Sequence, residues 1–553
     1  MATVAPLTPE EIEALEPEYL GPTWQKDAFG RWKLPEFTLG WQIAGWCAEY
    51  LDGEGSTDEK RVPWKFTAEQ LRFLLWWYAI DKDGEFIYRT GVLQRLKGWG
   101  KDPLLAVISL VEFVGPSRFS HWDEDGNPVA KAHPQAWVQI TAVNQEQTTN
   151  TMGYLPILMG PKLIQTYGIK AGAELIRADR GRKKLQAVTS SYRAIEGKRT
   201  TFTLLNETHH WVAGNGGHKM FETIDGNSTK MDSRYLAITN AYLPGEDSVA
   251  ERTREAHNKV LEGRAADVGT LYDSIEAHPK TPLTPEALRI VLPKIRGDAV
   301  WLKIEAIIKS VMNLTISASR SRRMYLNQVV AEEDALYGPE QWADILCEGA
   351  TLQPGDEIVM GFDGGKTDDA TALVALRVRD MCAFVLGLWE RPDGPKGDGW
   401  SVPRVEVDSA VHDAFRVYDV KAFYADVALW ESYISEWDET YGDRLAVKSP
   451  VGKDRIGWDM RSSLKLSTMA HERLMRSVFD KKLRYDGDLI LRRHALNARR
   501  RSNNYGISFG KESRESPRKV DAYAALMLAH EALYDLRARG KKVRARSGRG
   551  YFL

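Results

Sequence analysis

Cysteine is scarce in this chain of 553 residues: Cys47, Cys347 and Cys382 stand far apart and odd in number. That excludes a disulfide framework and leaves no spacing suited to a zinc site, so a reducing cytoplasm is expected. Long apolar runs are missing too, and none approaches the roughly 18 residues that a bilayer span needs. No membrane role is expected. The opening stretch, MATVAPLTPEEIEALEPEYL, is acidic and lacks the basic-then-apolar design of a secretory signal. Nor does one sign of charge dominate, since the formal net charge is −1. No zinc finger or strong helix-turn-helix pattern is present, so any nucleic acid would be held through its backbone rather than read base by base. What remains is the composition of a soluble globular protein, too long for one core and expected to form two to four domains.

The informative stretch is Phe86–Val114. A short apolar run, Phe86-Ile87-Tyr88, predicts a strand. It leads to the bend Gly98-Trp99-Gly100, then Lys101, and then apolar residues at helical spacing: Leu104, Val107, Ile108 and Val111. Strand, glycine bend, lysine and helix form the layout that cradles a nucleoside triphosphate. The glycines admit backbone N–H groups to the phosphates, the lysine reaches the outer ones, and the helix N-terminus adds favourable partial charge. Two positions depart from the usual pattern: Arg95 replaces its first Gly, and Asp102 its closing Ser or Thr. Upstream, Thr67 and Gln70 have the spacing of a capping box, and Gln70 is also placed to contact an adenine edge.

Strand and helix patterns then alternate: strands at 136–143, 184–191, 201–207 and 234–240, with helices from about Gln145 and over 247–262. Alternation of this kind predicts a mostly parallel sheet with its site at the strand C-termini. The strand TFTLLNE ends in Asn206-Glu207, where such an NTPase needs a metal-side acid followed by a water-activating acid. Glu207 fits the second role, and Asn206 stands where Asp is expected. Asp102 and Asn206 together read as an exchange, because a carboxylate and a neutral oxygen have traded places beside the Mg²⁺ of ATP. Thr239-Asn240, ending the next strand, would sense the γ-phosphate. Residues 264–345 read as helices without a catalytic pattern.

The second half begins with DEIVMGFDGG, a strand carrying Asp363, and two further strands at hairpin spacing make a meander. A helix around 408–418, a strand ending in Asp426 (421–428), a strand RLAVKS, a long helix over 458–482 and a final helix carrying Asp521 follow. This is the order of an RNase H-like fold, in which the three aspartates converge. Converging carboxylates need cations, so a pair of Mg²⁺ or Mn²⁺ ions is expected there, holding an in-line attack on a phosphodiester. Seven Lys and Arg residues follow Asp535 with no acid among them, predicting a disordered basic tail that is either solvated or in contact with a polyanion.

The motifs RLKGWGKD, LLNETHHW, AITNAYLPGEDSVAE, GFDGGKTDDATAL, FYADVALW, HALNARRR and KVDAYAAL, taken in this order, resemble a tailed-phage terminase large subunit over roughly Trp64–Glu531. The resemblance implies an α/β chain: a P-loop ATPase domain of RecA/ASCE type, then an RNase H-like nuclease. The expected divisions are an N-terminal extension (1–60), the ATPase (61–263), a helical lid or linker (264–350), the nuclease (351–536) and the basic tail (537–553). It implies ATP-driven movement of double-stranded DNA through a portal into a procapsid, cutting of the concatemer, a small terminase subunit as partner, and a homo-oligomeric ring when docked. The location implied is the cytoplasm of an infected bacterium, with transient docking on the procapsid and absence from the mature virion. By position, Gly98, Trp99, Gly100, Lys101, Asp102, Gln70, Asn206 and Asn240 would bind ATP with Mg²⁺, and Glu207 would activate water. Arg193 or Arg199 would be an arginine finger, and Asp363, Asp426 and Asp521 would hold the nuclease metals. His494, Asn497 and Lys519 would touch the phosphate backbone, with a structural role open for His494. Two other functions stay open: an ATPase–nuclease of repair or defence without a capsid partner, and a DNA-binding assembly factor with a decayed ATPase.

Overall fold

The computed structural model describes residues 7–546 apart from 58, 173–174, 190–194, 196, 232, 314, 332–333, 366–369, 393–396, 398, 453 and 512–517. The chain divides into two compact units, Met1–Leu243 with Asp247–Val330, and Pro244–Glu246 with Ala331–Leu553.

The first unit is built on an eight-stranded sheet of β1 (Glu18–Leu20), β2 (Thr90–Gln94), β3 (Trp137–Ala142), β4 (Leu175–Ala178), β5 (Lys183–Thr189), β6 (Phe202–Leu205), β7 (Arg234–Thr239) and β8 (Thr270–Glu276). Its spatial order is β1-β8-β2-β7-β6-β3-β5-β4. The six inner strands run parallel, and β1 and β4 close the edges antiparallel. One strand, β7, separates β2 from β6, which is the ASCE arrangement. Alternate residues of the strands feed opposite faces. Leu93, Leu236, Ile238 and Leu271 enter one core layer, and Val92, Tyr235, Ala237 and Tyr272 the other. Helices α1 (Gly40–Tyr50), α2 (Ala68–Trp77), α3 (Lys101–Phe113), α4 (Gln145–Leu158) and α5 (Val249–Leu261) cover them.

Several expectations need correction here. Residues 86–88 are not the strand before the glycine bend. Phe86 makes only an isolated bridge to Ile80, its ring lying 3.8 Å from the Arg234 guanidinium, and the strand is 90–94. The expected N-terminal extension (1–60) is built into the first unit over its described residues, because Glu18–Leu20 pairs with β8 and Ile43, Cys47 and Leu51 sit in the core. Nor is the expected lid or linker (264–350) wholly helical, since β8 lies inside the sheet. The sequence TLYDSIE hides that strand behind polar residues that the fold satisfies, the two carboxylates by arginines outside the strand. Asp273 pairs with Arg95, Glu276 with Arg254 (2.5 Å), and Ser274 with Glu276 (2.8 Å).

The second unit holds a six-stranded sheet: β9 (Glu357–Asp363), β10 (Thr371–Arg377), β11 (Cys382–Trp389), β12 (Asp419–Asp426), β13 (Gly457–Trp458) and β14 (Arg484–Tyr485), in the order β13-β12-β9-β10-β11-β14. The β9-β10-β11 meander is antiparallel and β12 joins β9 in parallel, which is RNase H-like topology. Helices α6 (Arg404–Val417), α7 (Leu464–Phe479), α8 (Leu489–Asn497) and α9 (Asp521–Arg546) pack around it. A Cβ on Gly361 would stand 1.9 Å from the Ala525 carbonyl oxygen, so glycine there lets α9 lie directly on β9. RLAVKS forms no strand. Ala446 makes one backbone bond, to the Lys421 carbonyl (2.8 Å), and Pro450 soon follows with no N–H to extend a ladder. The basic tail is also not wholly irregular, for α9 runs on to Arg546.

Candidate active sites

The glycine bend joins β2 to α3. Gly98 and Gly100 have φ of 83° and 98°, a left-handed backbone that favours glycine, and Gly100 caps α3. Arg95 is turned toward β8 beneath the bend. Its buried guanidinium pairs with Asp273, donates to the carbonyls of Gln94 (2.9 Å) and Asp273 (3.0 Å), and lies over the rings of Trp24 and Trp99. The first departure from the phosphate-loop pattern is thus an anchor fixing the base of the bend to β8. Trp99 belongs to the same anchor, its indole buried against Arg95.

Lys101 is buried, with Nζ donating to the carbonyls of Arg95 and Leu96 (both 3.2 Å) and to Asn240 Oδ1 (2.7 Å). Burial pulls its pKa down, while Glu207 and Asp102 push it back up. Asn240 Nδ2 lies 3.4 Å from Glu207 Oε2, so one amide bridges the lysine and the glutamate. Glu207 itself is left-handed at φ 55°, a strained conformation for a non-glycine residue at a strand end. Its pKa is raised, first by burial.

A histidine completes this chain of contacts. His209 Nδ1 is 3.1 Å from Thr239 Oγ1 and 3.2 Å from Glu207 Oε2. The Thr239 hydroxyl proton is already given to the Asn240 carbonyl (2.7 Å), so Thr239 Oγ1 accepts and His209 Nδ1 carries the proton. Burial holds the His209 pKa well below its ordinary value, keeping the ring neutral. Among the described residues, Glu207, His209 and His210 form a group of potential ligand atoms lying within 4.8 Å of one another.

Asp102 and Asn206 meet on a third residue. Thr151 Oγ1, from α4, donates to Asp102 Oδ1 (3.2 Å) and accepts from Asn206 Nδ2 (3.0 Å). Asn206 Nδ2 also donates to the Gln147 carbonyl (2.9 Å), which fixes the amide orientation and leaves Oδ1 buried without a partner among the described residues. Gln70 forms its reciprocal cap with Thr67 through Oε1, and its Nε2 lies 3.6 Å from where a Gly100 Cβ would stand. Arg199 is exposed at the opposite end of β6 from Glu207, away from this chain's own site, and Arg193 lies outside the described residues.

In the second unit, Phe362 pairs with Ala425, so Asp363 and Asp426 are neighbours at the ends of parallel strands. Tyr424 bonds Asp535 of α9 (2.8 Å), and Gly361 abuts Ala525 of the same helix. Strand alternation therefore turns Asp426 and Asp363 to the α9 face, where Asp521 lies one turn before Ala525. Burial raises the Asp426 pKa, although the Met460 N–H donates to it (3.2 Å). His494 does not face outward. Its Nδ1 accepts from the Ala522 N–H (3.0 Å), so Nε2 donates to Glu390 Oε1 (2.6 Å). Burial alone would raise Glu390, but His494 and Arg493 hold it at about 2. Asn497 likewise bonds inward, to the Lys519 carbonyl (3.1 Å). Both residues tie down the approach to Asp521.

No family model matches the chain. It is 40% identical over 592 residues to the Gene 13 protein of Mycobacterium phage L5, covering 98% of each chain. Identity to the Gene 13 protein of Mycobacterium phage D29 is 38%, again over 98% of each. The chain belongs to this family of phage proteins. Among solved structures it is similar to the HK97 bacteriophage large terminase, at 14% identity and a TM-score of 0.47, covering 90% of this chain and all of that one.

Three contacts around the glycine bend and the end of β6 went unread in the sequence. Thr151 sits mid-helix, with no motif to mark it. His209 follows Glu207 by two residues, a spacing that carried no rule. Trp301 donates from Nε1 to the Gly98 carbonyl (2.9 Å), across 203 residues of sequence.

Proposed function

We propose that this chain is a terminase large subunit, an ATP-driven motor that moves double-stranded viral DNA into a procapsid and cuts the concatemer by metal-dependent hydrolysis. The observation that carries the reading is the hydrogen-bonded path Lys101–Asn240–Glu207–His209 across adjacent strand ends of an ASCE sheet, in a chain that continues into an RNase H-like unit. Membership of a phage family supports the packaging context over repair or defence.

In this reading Lys101 exchanges the Arg95 and Leu96 carbonyls for the outer phosphate oxygens. Glu207 takes a proton from the attacking water, and its raised pKa makes it a better base near neutrality. His209 Nδ1–H holds that carboxylate in place, and Asn240 transmits the state of the phosphates to it. The donors beside the loop fit Mg²⁺, since Asp102 supplies a carboxylate and Asn206 Oδ1 is a buried acceptor without a partner among the described residues. Bound with ATP, Mg²⁺ would neutralise phosphate charge. In the second unit Asp363, Asp426 and Asp521 would hold two divalent ions, Mg²⁺ or Mn²⁺, which stabilise the charge of an in-line phosphodiester attack. The arginine finger would be Arg193, or Arg199 reaching a neighbouring subunit of a ring. The portal and a small terminase subunit are the partners, and the place of action is the host cytoplasm, with transient docking on the procapsid.

The test is ATP turnover with and without DNA, alongside plasmid cutting with Mg²⁺ or Mn²⁺. Glu207→Gln should abolish turnover and spare cutting. Turnover by Glu207→Gln equal to the parent overturns the motor assignment. Failure of the chain to support packaging into cognate procapsids in vitro, with both activities intact, returns the repair or defence reading.

A further inference from the structure

We propose that Thr151 is a magnesium ligand of the nucleotide site, its hydroxyl joining Asp102 and Asn206 so that helix α4 supplies the oxygen that the phosphate loop itself lacks. The inference rests on the ATPase reading and deepens it.

The usual loop ends in Ser or Thr, whose hydroxyl binds the cation beside the nucleotide. Here that position is Asp102, and no hydroxyl-bearing residue occurs between Arg95 and Leu105. The structure brings a hydroxyl to the same spot from another element. Thr151 is fully buried, 3.2 Å from Asp102 Oδ1 and 3.0 Å from Asn206 Nδ2. It is thus in contact with both residues at the two pattern positions where a cation ligand is expected. A purely structural threonine would leave its neighbours satisfied, and this one does not. Asn206 is 1% exposed, yet its Oδ1 has no partner among the described residues, and the buried Gln147 Oε1 is likewise without one. Unpaired buried acceptors are costly and rare, and these two belong to Asn206, which bonds Thr151, and to Gln147, whose carbonyl accepts from Asn206, so the acceptors a cation would satisfy lie in the same hydrogen-bonded group. Oxygens from Asp102, Thr151 and Asn206 carry one negative charge in total. That is the charge and donor type of the usual Ser/Thr-plus-Asp pair, with one extra neutral oxygen, and Mg²⁺ takes oxygen from each kind of group.

The consequence is that the exchange at Asp102 and Asn206 is a three-residue arrangement, with Thr151 as the shared member. Its test is equilibrium binding of a fluorescent ATP analogue to the full chain, titrated in EDTA and at rising Mg²⁺. The parent should bind more tightly with Mg²⁺. Thr151→Val should lose at least about tenfold of that Mg²⁺-dependent gain while keeping its affinity in EDTA, and Thr151→Ser should restore the gain. Thr151→Cys should bind poorly with Mg²⁺ but recover selectively in Cd²⁺, because a thiolate prefers the softer ion. Thermal melting of each variant checks that it is folded. A Mg²⁺-dependent gain in folded Thr151→Val equal to the parent's, or no selective Cd²⁺ recovery in Thr151→Cys, overturns the assignment and leaves the ATPase reading standing. No nucleotide binding by the parent chain would sink both.

Discussion

Restoring the expected acid at position 206 should damage this protein rather than improve it. In Asn206→Asp the side-chain nitrogen becomes an oxygen. That nitrogen now donates to the Gln147 carbonyl at 2.9 Å and to Thr151 Oγ1 at 3.0 Å. The substitution sets a carboxylate oxygen against a carbonyl oxygen at hydrogen-bond distance. It also asks the single Thr151 proton to serve two carboxylates, because Thr151 already donates to Asp102. Each buried polar group left without its partner costs about 1–3 kcal/mol, so the two together should cost roughly 2–6 kcal/mol. For a unit of this size that is a fall in melting temperature of roughly 3–9 °C. Crowding by Asp102 and burial would raise the pKa of the new carboxyl above its unfolded value. The penalty is then full above the folded pKa and shrinks as pH falls toward the unfolded one, so variant and parent should converge on acidification. Differential scanning calorimetry between pH 4.5 and 8 reads this directly. Asp102→Ser should lose ATP turnover strongly. The double variant Asp102→Ser/Asn206→Asp should recover only part of it, because the Gln147 carbonyl still opposes the new oxygen. If Asn206→Asp melts and hydrolyses ATP like the parent, the account of this site is wrong.

Asp363→Asn should abolish Mg²⁺- or Mn²⁺-dependent plasmid cutting and leave ATP turnover near the parent's, and a nicking assay beside a phosphate-release assay decides it. Arg95→Gly, which restores the consensus glycine, should destabilise by about 3–5 kcal/mol because the buried Asp273 loses its ion pair and keeps only the neutral donors of Thr23 and Trp24; unchanged denaturant unfolding would refute the anchor. Removing residues after Arg539 should weaken DNA binding and flatten its salt dependence, while Arg537, which donates to the Val378 carbonyl (2.9 Å), is kept for packing. Glu390 is held at about 2 by His494 and Arg493 after burial has been overcome. Its pairing stabilises the second unit fully above the ordinary pKa and loses that effect as pH falls toward 2. His494→Ala should therefore lower stability at pH 7 and make its acid dependence shallower, as followed by acid titration of tryptophan fluorescence.

Where the sequence was legible, chemistry and periodicity agreed. Strands 202–205 and 234–239 are fully buried, 137–142 nearly so, and all three read as mostly apolar runs, and the capping box at Thr67 and Gln70 formed as its spacing requires. Asp363 and Asp426 could be found because each ends an apolar strand. Strand β8 failed that test for a physical reason. Its Asp273 and Glu276 are compensated by Arg95 and Arg254, which lie 178 and 22 residues away in sequence, so its hydrophobic pattern is broken by charges that the fold neutralises. Arg95 was misjudged for the same cause seen from the other side. As a loop residue it looked like a lost glycine, and only its distant partner shows why a cation belongs there. Pattern departures in this chain cluster where a side chain answers a partner far along the sequence: Arg95 answers Asp273, and Asp102 and Asn206 both answer Thr151. A decayed site would have no reason to keep such answers in register. The three departures are then better understood as side chains that answer distant partners, Arg95 anchoring the bend to β8 and Asp102 and Asn206 meeting on Thr151, and that view makes the consensus residues, rather than the native ones, the damaging substitutions.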